Sequence, residues 1–227
     1  MRHGRKENHL TKDPGSLQSE YFDQVQYRGA FDPVVSAYAE PKIEFIKRYA
    51  PIEGNILDVG CGNGIFTARF AAAGASVIGV DFSPHLLDQN PHRRLICGDA
   101  TALPFGDGTF DMVFEANVLH HVPARQRVIG EMKRVSRKYV VLLEPNRYNP
   151  LMLAFFLLVR AERGGLKSCA KSLEGDLHRC GLRIVSSLTT GMISQNNTPT
   201  MLIPLLQRFD RQIWWGEYVV IVAEKLD

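Results

Sequence analysis

"NILDVGCGNGIFTARF", residues 55–70, decides the fold of this chain. Asn55 to Val59 reads as a buried strand, Gly60, Gly62 and Gly64 at alternate positions as a turn, and the residues from Ile65 as the opening of a helix. Glycines at such a turn let a ligand approach the backbone without Cβ atoms in the way. A helix N-terminus behind them commonly favours phosphate. Here, however, the mouth of the turn carries Asp58, and no Lys or Arg is met within the stretch until Arg69. A carboxylate in that place repels an anion and attracts a cation. The spacing is G-x-G-x-G, not the G-x-G-x-x-G of dinucleotide binders.

Outward from this stretch, short apolar strands alternate with helical segments, the pattern of a parallel sheet with helices on both faces. Seven strands are predicted, over 55–59, 76–81, 94–99, 110–117, 138–145, 182–189 and 217–224. Phe66, Phe70 and Ala73 form one apolar helical stripe, and Val128, Met132 and Val135 another. Pro123 suits the first position of the second of these helices, and the crossover after Asp81 has room only for a short helix before Pro91. Residues 17–50 are predicted to form cap helices beside the carboxyl ends of the strands, with Asp32-Pro33 as cap and first turn and Pro41 interrupting or kinking the helix beyond it.

The chain of 227 residues, 45% apolar and 22% charged, fits one α/β domain over 17–227 preceded by a disordered tail over 1–16. A net charge of +3 is too mild, and too little clustered, to point to nucleic acid. Cys61, Cys97, Cys169 and Cys180 form no CxxC pair, so neither a metal site nor a secreted disulfide framework is expected, and a reduced, cytoplasmic setting is the plain reading. "MRHGRKENHL" is followed by "TKDPGS" in place of an apolar segment, so it does not read as a signal peptide. The longest apolar run, Leu151 to Val159, falls well short of the roughly 20 residues a spanning helix needs. It is either a core or cap helix, or a surface that receives an apolar substrate or makes peripheral contact with a membrane.

Two further acids close the next strands, Asp81 and Asp99. The first is suited to accept hydrogen bonds from ribose hydroxyls, the second from an adenine amino group. Three acids on three successive strand ends fit a cationic adenosine ligand. "ILDVGCGNG", "VIGVDFSPHLL", "CGDATALPFGDGTFDMVFEANVLHHV" and "VVLLEPN" resemble, in order and spacing, the successive motifs of class I S-adenosylmethionine-dependent methyltransferases, nearest the group that includes quinone and small-molecule methyltransferases. The resemblance covers about residues 53–146. It implies a Rossmann-like, seven-stranded, mostly parallel sheet with the last strand antiparallel, and S-adenosyl-L-methionine as cofactor. It further implies that Asp58, Gly60, Cys61, Gly62 and Gly64 surround the methionine part, that Asp81 holds the ribose with Phe82 beside it, and that Asp99 with Ala100 meets the adenine.

Methyl transfer from a sulfonium is an in-line displacement, which asks the protein chiefly to align the nucleophile and exclude water. Glu115 and Asn117, at the end of the fourth strand, are expected cofactor or substrate contacts. Of His120 and His121 in "LHHV", His121 is the candidate base, unless the pair only shapes the loop. Glu144 at the end of the fifth strand is expected to face the pocket as a second catalytic candidate, and Arg147 either meets an anionic substrate or sits in solvent. Tyr21, Tyr27 and Tyr38 either close over the substrate or pack the cap. Asp111 reads as a turn acid of structural use. Residues 150–180 and 191–216 are expected to cover the substrate. The acceptor is expected to be small and fairly apolar, such as a lipid, quinone or natural product. A sugar or other polar metabolite, and a non-catalytic module that binds the same cofactor, remain as alternatives.

Overall fold

The computed structural model describes residues 25–226. Expectations for residues 1–24, including the tail and Tyr21, lie outside the described residues. Seven strands form one sheet: β1 (Asn55–Val59), β2 (Ser76–Asp81), β3 (Leu95–Cys97), β4 (Phe110–Ala116), β5 (Ser136–Pro145), β6 (Leu182–Thr190) and β7 (Tyr218–Lys225). Their spatial order is β3-β2-β1-β4-β5-β7-β6. β7 alone runs antiparallel, inserted between β5 and β6. The helices are α1 (Pro33–Lys47), α2 (Ile65–Ala72), α3 (Pro84–Asp88), α4 (Arg125–Val135), α5 (Pro150–Leu158), α6 (Ala170–Arg179) and α7 (Ile203–Leu206).

Near-continuous apolar runs in the central strands are what a sheet buried on both faces requires. Successive residues alternate between two cores. Ile56, Met112, Phe114, Val141 and Val220 face a layer with Val34, Ile46, Phe66 and Phe70, whereas Leu57, Val113, Val140 and Ile221 face Val128, Ile129, Met132, Leu173 and Leu177. α1 therefore lies in a sheet-covering layer with α2, while its Tyr38 packs on Tyr218 and meets Asn117 beside the carboxyl ends of β5 and β4. Asp32 accepts from Val34 N at 2.8 Å to start it, and it runs on through Pro41. Arg69 ties α2 to this segment, donating to Glu40 Oε1 (3.0 Å), Ser36 Oγ (3.1 Å) and the carbonyls of Ala30 and Ile65 (2.7 Å each).

Other details depart from the sequence reading. α4 begins at Arg125 with Ala124 before it, so Pro123 precedes the helix. β3 stops at Cys97, because Asp99 turns away to cap its own loop. α6, in the stretch expected to cover substrate, buries Leu173 and Leu177 in the second core instead. Asp111 accepts from Asn55 N (2.8 Å) and pairs with Arg137 (3.0 Å), a structural tie between β4 and β1. No helix among the described residues is long and apolar enough to cross a membrane.

Candidate active site

β2 and β3 lie on one side of β1 and β4 on the other, so the strand order reverses at β1 and the loops after these strands splay apart there. A cavity of about 1180 Å³ opens at this point, over the glycine turn. The three glycines differ in what they do. A Cβ on Gly60 would strike the Val118 side chain, and one on Gly64 the Asn90 amide; both positions serve packing. At Gly62, with φ +47°, the nearest atom to a Cβ is Leu86 Cδ1 at 3.9 Å, so its bare backbone faces the cavity.

Asp81 holds this turn: Oδ2 accepts from Gly62 N at 2.8 Å and Oδ1 from Ser83 N at 2.9 Å. Burial raises its pKa while these N–H groups lower it, and the balance stays above the usual carboxylate range. The cap of α3 is Ser83, which accepts from Leu86 N, so the Asp81 carboxylate is not consumed as a helix cap. Asp58 sits deeper, 2% exposed, and accepts from Thr67 Oγ1 at 2.6 Å. Burial, helped by the charge of Asp81 and opposed by Thr67, pushes it up to about 7. Cys61 is buried beside them, its thiol raised by burial. Asp99, exposed, accepts from Thr101 N (2.7 Å) and Oγ1 (2.8 Å). With Ala100 and the half-exposed Phe82 it lines the far side of the cavity.

The opposite wall is polar and more deeply built. After β4 the chain turns at Asn117, held at φ +60°, with its Nδ2 donating to Tyr38 Oη at 3.3 Å. The 3-10 turn Leu119–His121 comes next. Glu144, at the end of β5, anchors this turn from below. Oε1 accepts from Leu119 N (2.9 Å), and Oε2 accepts from His120 N (3.2 Å), from His120 Nδ1 (2.9 Å) and from Ser168 Oγ (3.3 Å). His120 reaches a second carboxylate, donating from Nε2 to Glu162 Oε2 at 3.3 Å. Donation from both ring nitrogens requires the imidazolium. Burial opposes that charge, but Glu144 and Glu162 outweigh it and raise His120 to about 10. Burial and the charge of His120 lower His121 to about 4, so it is a neutral imidazole at neutral pH. Burial would raise Glu144, but the two histidines and the N–H donors hold it below the usual range. Burial and the charge of Glu144 push Glu115 well up.

The structure thus brings Asp58, Gly60, Cys61, Gly62, Asp81, Phe82, Asp99, Ala100, Asn117 and His121 to one cavity. Gly64 lies just behind the turn. Glu115 and Glu144 do not line the cavity, contrary to expectation. Both are fully buried: His120 meets Glu144 through its backbone and ring, and Glu115 Oε2 accepts from Val118 N at 3.1 Å. Tyr38 is likewise core, packed on Phe66 and Tyr218, whereas Tyr27 lines the cavity. Arg147 donates to Leu166 O (3.2 Å) and Tyr148 Oη (3.1 Å), pinning the strap Arg160–Lys167. Glu162, on that strap, is not legible in "RAERGGLK": it belongs to no motif and no periodic face.

Above the cavity lie α5 and the segment from Met192 to Leu206. Of α5 only Phe156 is buried. Leu151, Met152 and Phe155 line the cavity, while Leu157 and Leu158 face outward. The apolar run is therefore a lid over the site and not a core helix.

A methyltransferase domain family model matches residues 57–143. An uncharacterized methyltransferase of Mycobacterium sp. (strain JLS) is 27% identical over 216 residues, 88% of this chain and 83% of its own length. A demethylmenaquinone methyltransferase of Renibacterium salmoninarum is 40% identical over 86 residues, 36% of each chain. Among solved structures, a SAM-dependent methyltransferase from Thermotoga maritima, described as a possible histamine N-methyltransferase, superposes with a TM-score of 0.67 at 18% identity, over 85% of this chain and 91% of its own.

Proposed function

We propose that this chain is a class I S-adenosylmethionine-dependent methyltransferase, a reading supported by the methyltransferase-domain match and the relatives above, and that it methylates a small, largely apolar acceptor held beneath α5 and the 192–206 segment. One observation carries the reading. The cavity of about 1180 Å³ is continuous from the glycine turn to the lid, larger than the roughly 300–1,000 Å³ of an ordinary ligand pocket, so it has room for donor and acceptor together. The residues at the turn fit the donor. Gly62 offers uncovered backbone, Asp58 a buried carboxylate for a cation, and Asp81 a carboxylate on the ribose side, with Phe82, Asp99 and Ala100 left for the adenine.

When bound, the donor supplies an electrophilic methyl on a sulfonium. The protein's own part is to orient and to exclude water. Leu151, Met152, Phe155, Met192, Leu202 and Leu206 give the acceptor end an apolar roof. Ser194, Gln195 and Asn196 supply polar groups on one rim, suited to hold the acceptor's single polar end. His121 faces the acceptor space as a neutral imidazole able to accept a hydrogen bond from the acceptor. Glu144 acts through His120 as a positioning residue. The quinone-type acceptor named for the Renibacterium salmoninarum relative has the character this roof suits.

The test is methyl-labelled donor with a panel of hydroxylated quinones, prenylated phenols and fatty acids, set against sugars and polar amines. Labelled product from the apolar group, with kcat/KM lowered at least tenfold in Phe155→Glu while donor affinity holds, supports the reading. Turnover confined to the polar group, or donor binding with no turnover across the panel, overturns it.

A further inference from the structure

The turn Leu119–His121 and the strap Arg160–Lys167 bring two imidazoles and a carboxylate together on the cavity wall. His120 Nε2 stands 3.3 Å and His121 Nε2 3.9 Å from the same Glu162 oxygen. Ligand atoms from all three residues lie within 4.8 Å of one another. In a tetrahedral site with bonds of about 2.0–2.1 Å the ligand-to-ligand edge is roughly 3.3 Å, so one edge is already formed and the others close with shifts on the order of an ångström. All three residues line the cavity, and a fourth position therefore faces its interior.

Two features give this group the character of a built site. Glu144 Oε2 accepts from His120 Nδ1 at 2.9 Å and is itself held by backbone N–H groups. A carboxylate behind an imidazole is the arrangement that fixes a ligating ring and presents its other nitrogen outward. The strap is also seated by contact: Gly164 lies so close over the His120 carbonyl that a Cβ there would overlap it, which fixes Glu162 opposite the two rings.

We propose that His120, His121 and Glu162 form a binding site for one divalent ion of the zinc class, open to the cavity. Two ring nitrogens and one carboxylate oxygen suit zinc and its transition-metal neighbours, whereas magnesium and calcium favour all-oxygen shells. The ion takes the place of the proton that His120 shares with Glu162, and its fourth position takes an oxygen or nitrogen ligand from the cavity side. The site stands whatever the methyl acceptor is, and while the ion is bound His121 is its ligand and not a hydrogen-bond acceptor for the substrate.

The experiment is titration of the chelator-stripped full chain with Zn2+ alone by calorimetry, and with Co2+ followed by visible absorption. Donor affinity and thermal unfolding are measured on the same samples without metal. One Zn2+ per chain is expected, bound at least tenfold more weakly by Glu162→Gln and by His121→Gln, and with equal strength by Cys97→Ser. Co2+ should give a spectrum without a thiolate charge-transfer band. Glu162→Gln keeps the shape of the strap and still offers an acceptor to His120 Nε2, so retained donor affinity and a single cooperative unfolding transition there separate loss of a ligand from loss of fold. The proposal is overturned if the wild type takes up no stoichiometric Zn2+, if both variants bind as the wild type does, or if Co2+ reports thiolate ligation.

Discussion

Asp58→Asn tests whether the acid at the mouth of the glycine turn is kept at a cost to folding for the sake of a cationic ligand. In the folded chain Asp58 is raised from its usual 3.8 to about 7, chiefly by burial. At 1.36 kcal/mol per pH unit, the ionised form carries a penalty on the order of 4 kcal/mol relative to the unfolded chain. The sign comes from the raised value: the stability held by the protonated carboxyl is complete below about pH 4 and is lost as pH rises through about 7. Asparagine stays neutral and still accepts from Thr67. Its stability advantage over the wild type should therefore grow by about 2–3 kcal/mol between pH 5 and pH 8, read by urea unfolding. Donor binding should move the other way, at least tenfold weaker in the variant at pH 8 by calorimetry, and wild-type affinity should fall as pH drops below 7. A variant with the pH profile of the wild type, or with full affinity at pH 8, would show that Asp58 is not a stored charge for the ligand.

Asp81→Ala should weaken donor binding by about 1–3 kcal/mol, since the Gly62 and Ser83 N–H groups lose their acceptor and, on the proposed reading, so does the ribose; unchanged affinity in a folded variant contradicts this. A Cβ added at Gly62 meets nothing closer than 3.9 Å in the protein itself, so Gly62→Val should fold with a cost of about 1–3 kcal/mol for its left-handed backbone, yet donor binding should be abolished. Retained binding would mean that the ligand lies elsewhere. Glu144→Gln leaves the His120 imidazolium without its inner partner and should cost about 3–5 kcal/mol of stability. NMR titration should show His120 falling from about 10 toward neutrality, and a His120 titration that does not move would refute the anchoring role.

The glycine turn and the strand-terminal acids are legible in the sequence because they depend on local chemistry. A buried strand must be apolar, a sharp turn that admits a ligand needs glycine, and an acid beside it is read directly from the sequence, although its charge depends on how deeply the fold buries it. Strand boundaries agree within a few residues for the same reason. The seat of α1 is not legible, because an amphipathic helix announces that it will bury one face but not which neighbour it will bury it against. Glu115 and Glu144 are expected to be exposed to the pocket, since strand-end acids commonly are; whether the next turn folds over them depends on the Leu119–His121 geometry.

The sequence by itself determined the sheet, its topological switch point and the glycine turn with its neighbouring acids, because those arise from periodicity, turn residues and side-chain chemistry along contiguous stretches. Tertiary structure alone decided which carboxylates reach the cavity, that Leu151 to Val159 roofs the site instead of filling a core, and that His120, His121 and Glu162 meet. In that last meeting His120 and Glu162 stand 42 positions apart and are joined through a strap seated by Gly164 on a carbonyl. Such a contact is set by packing between distant segments, on which no local pattern of residues reports.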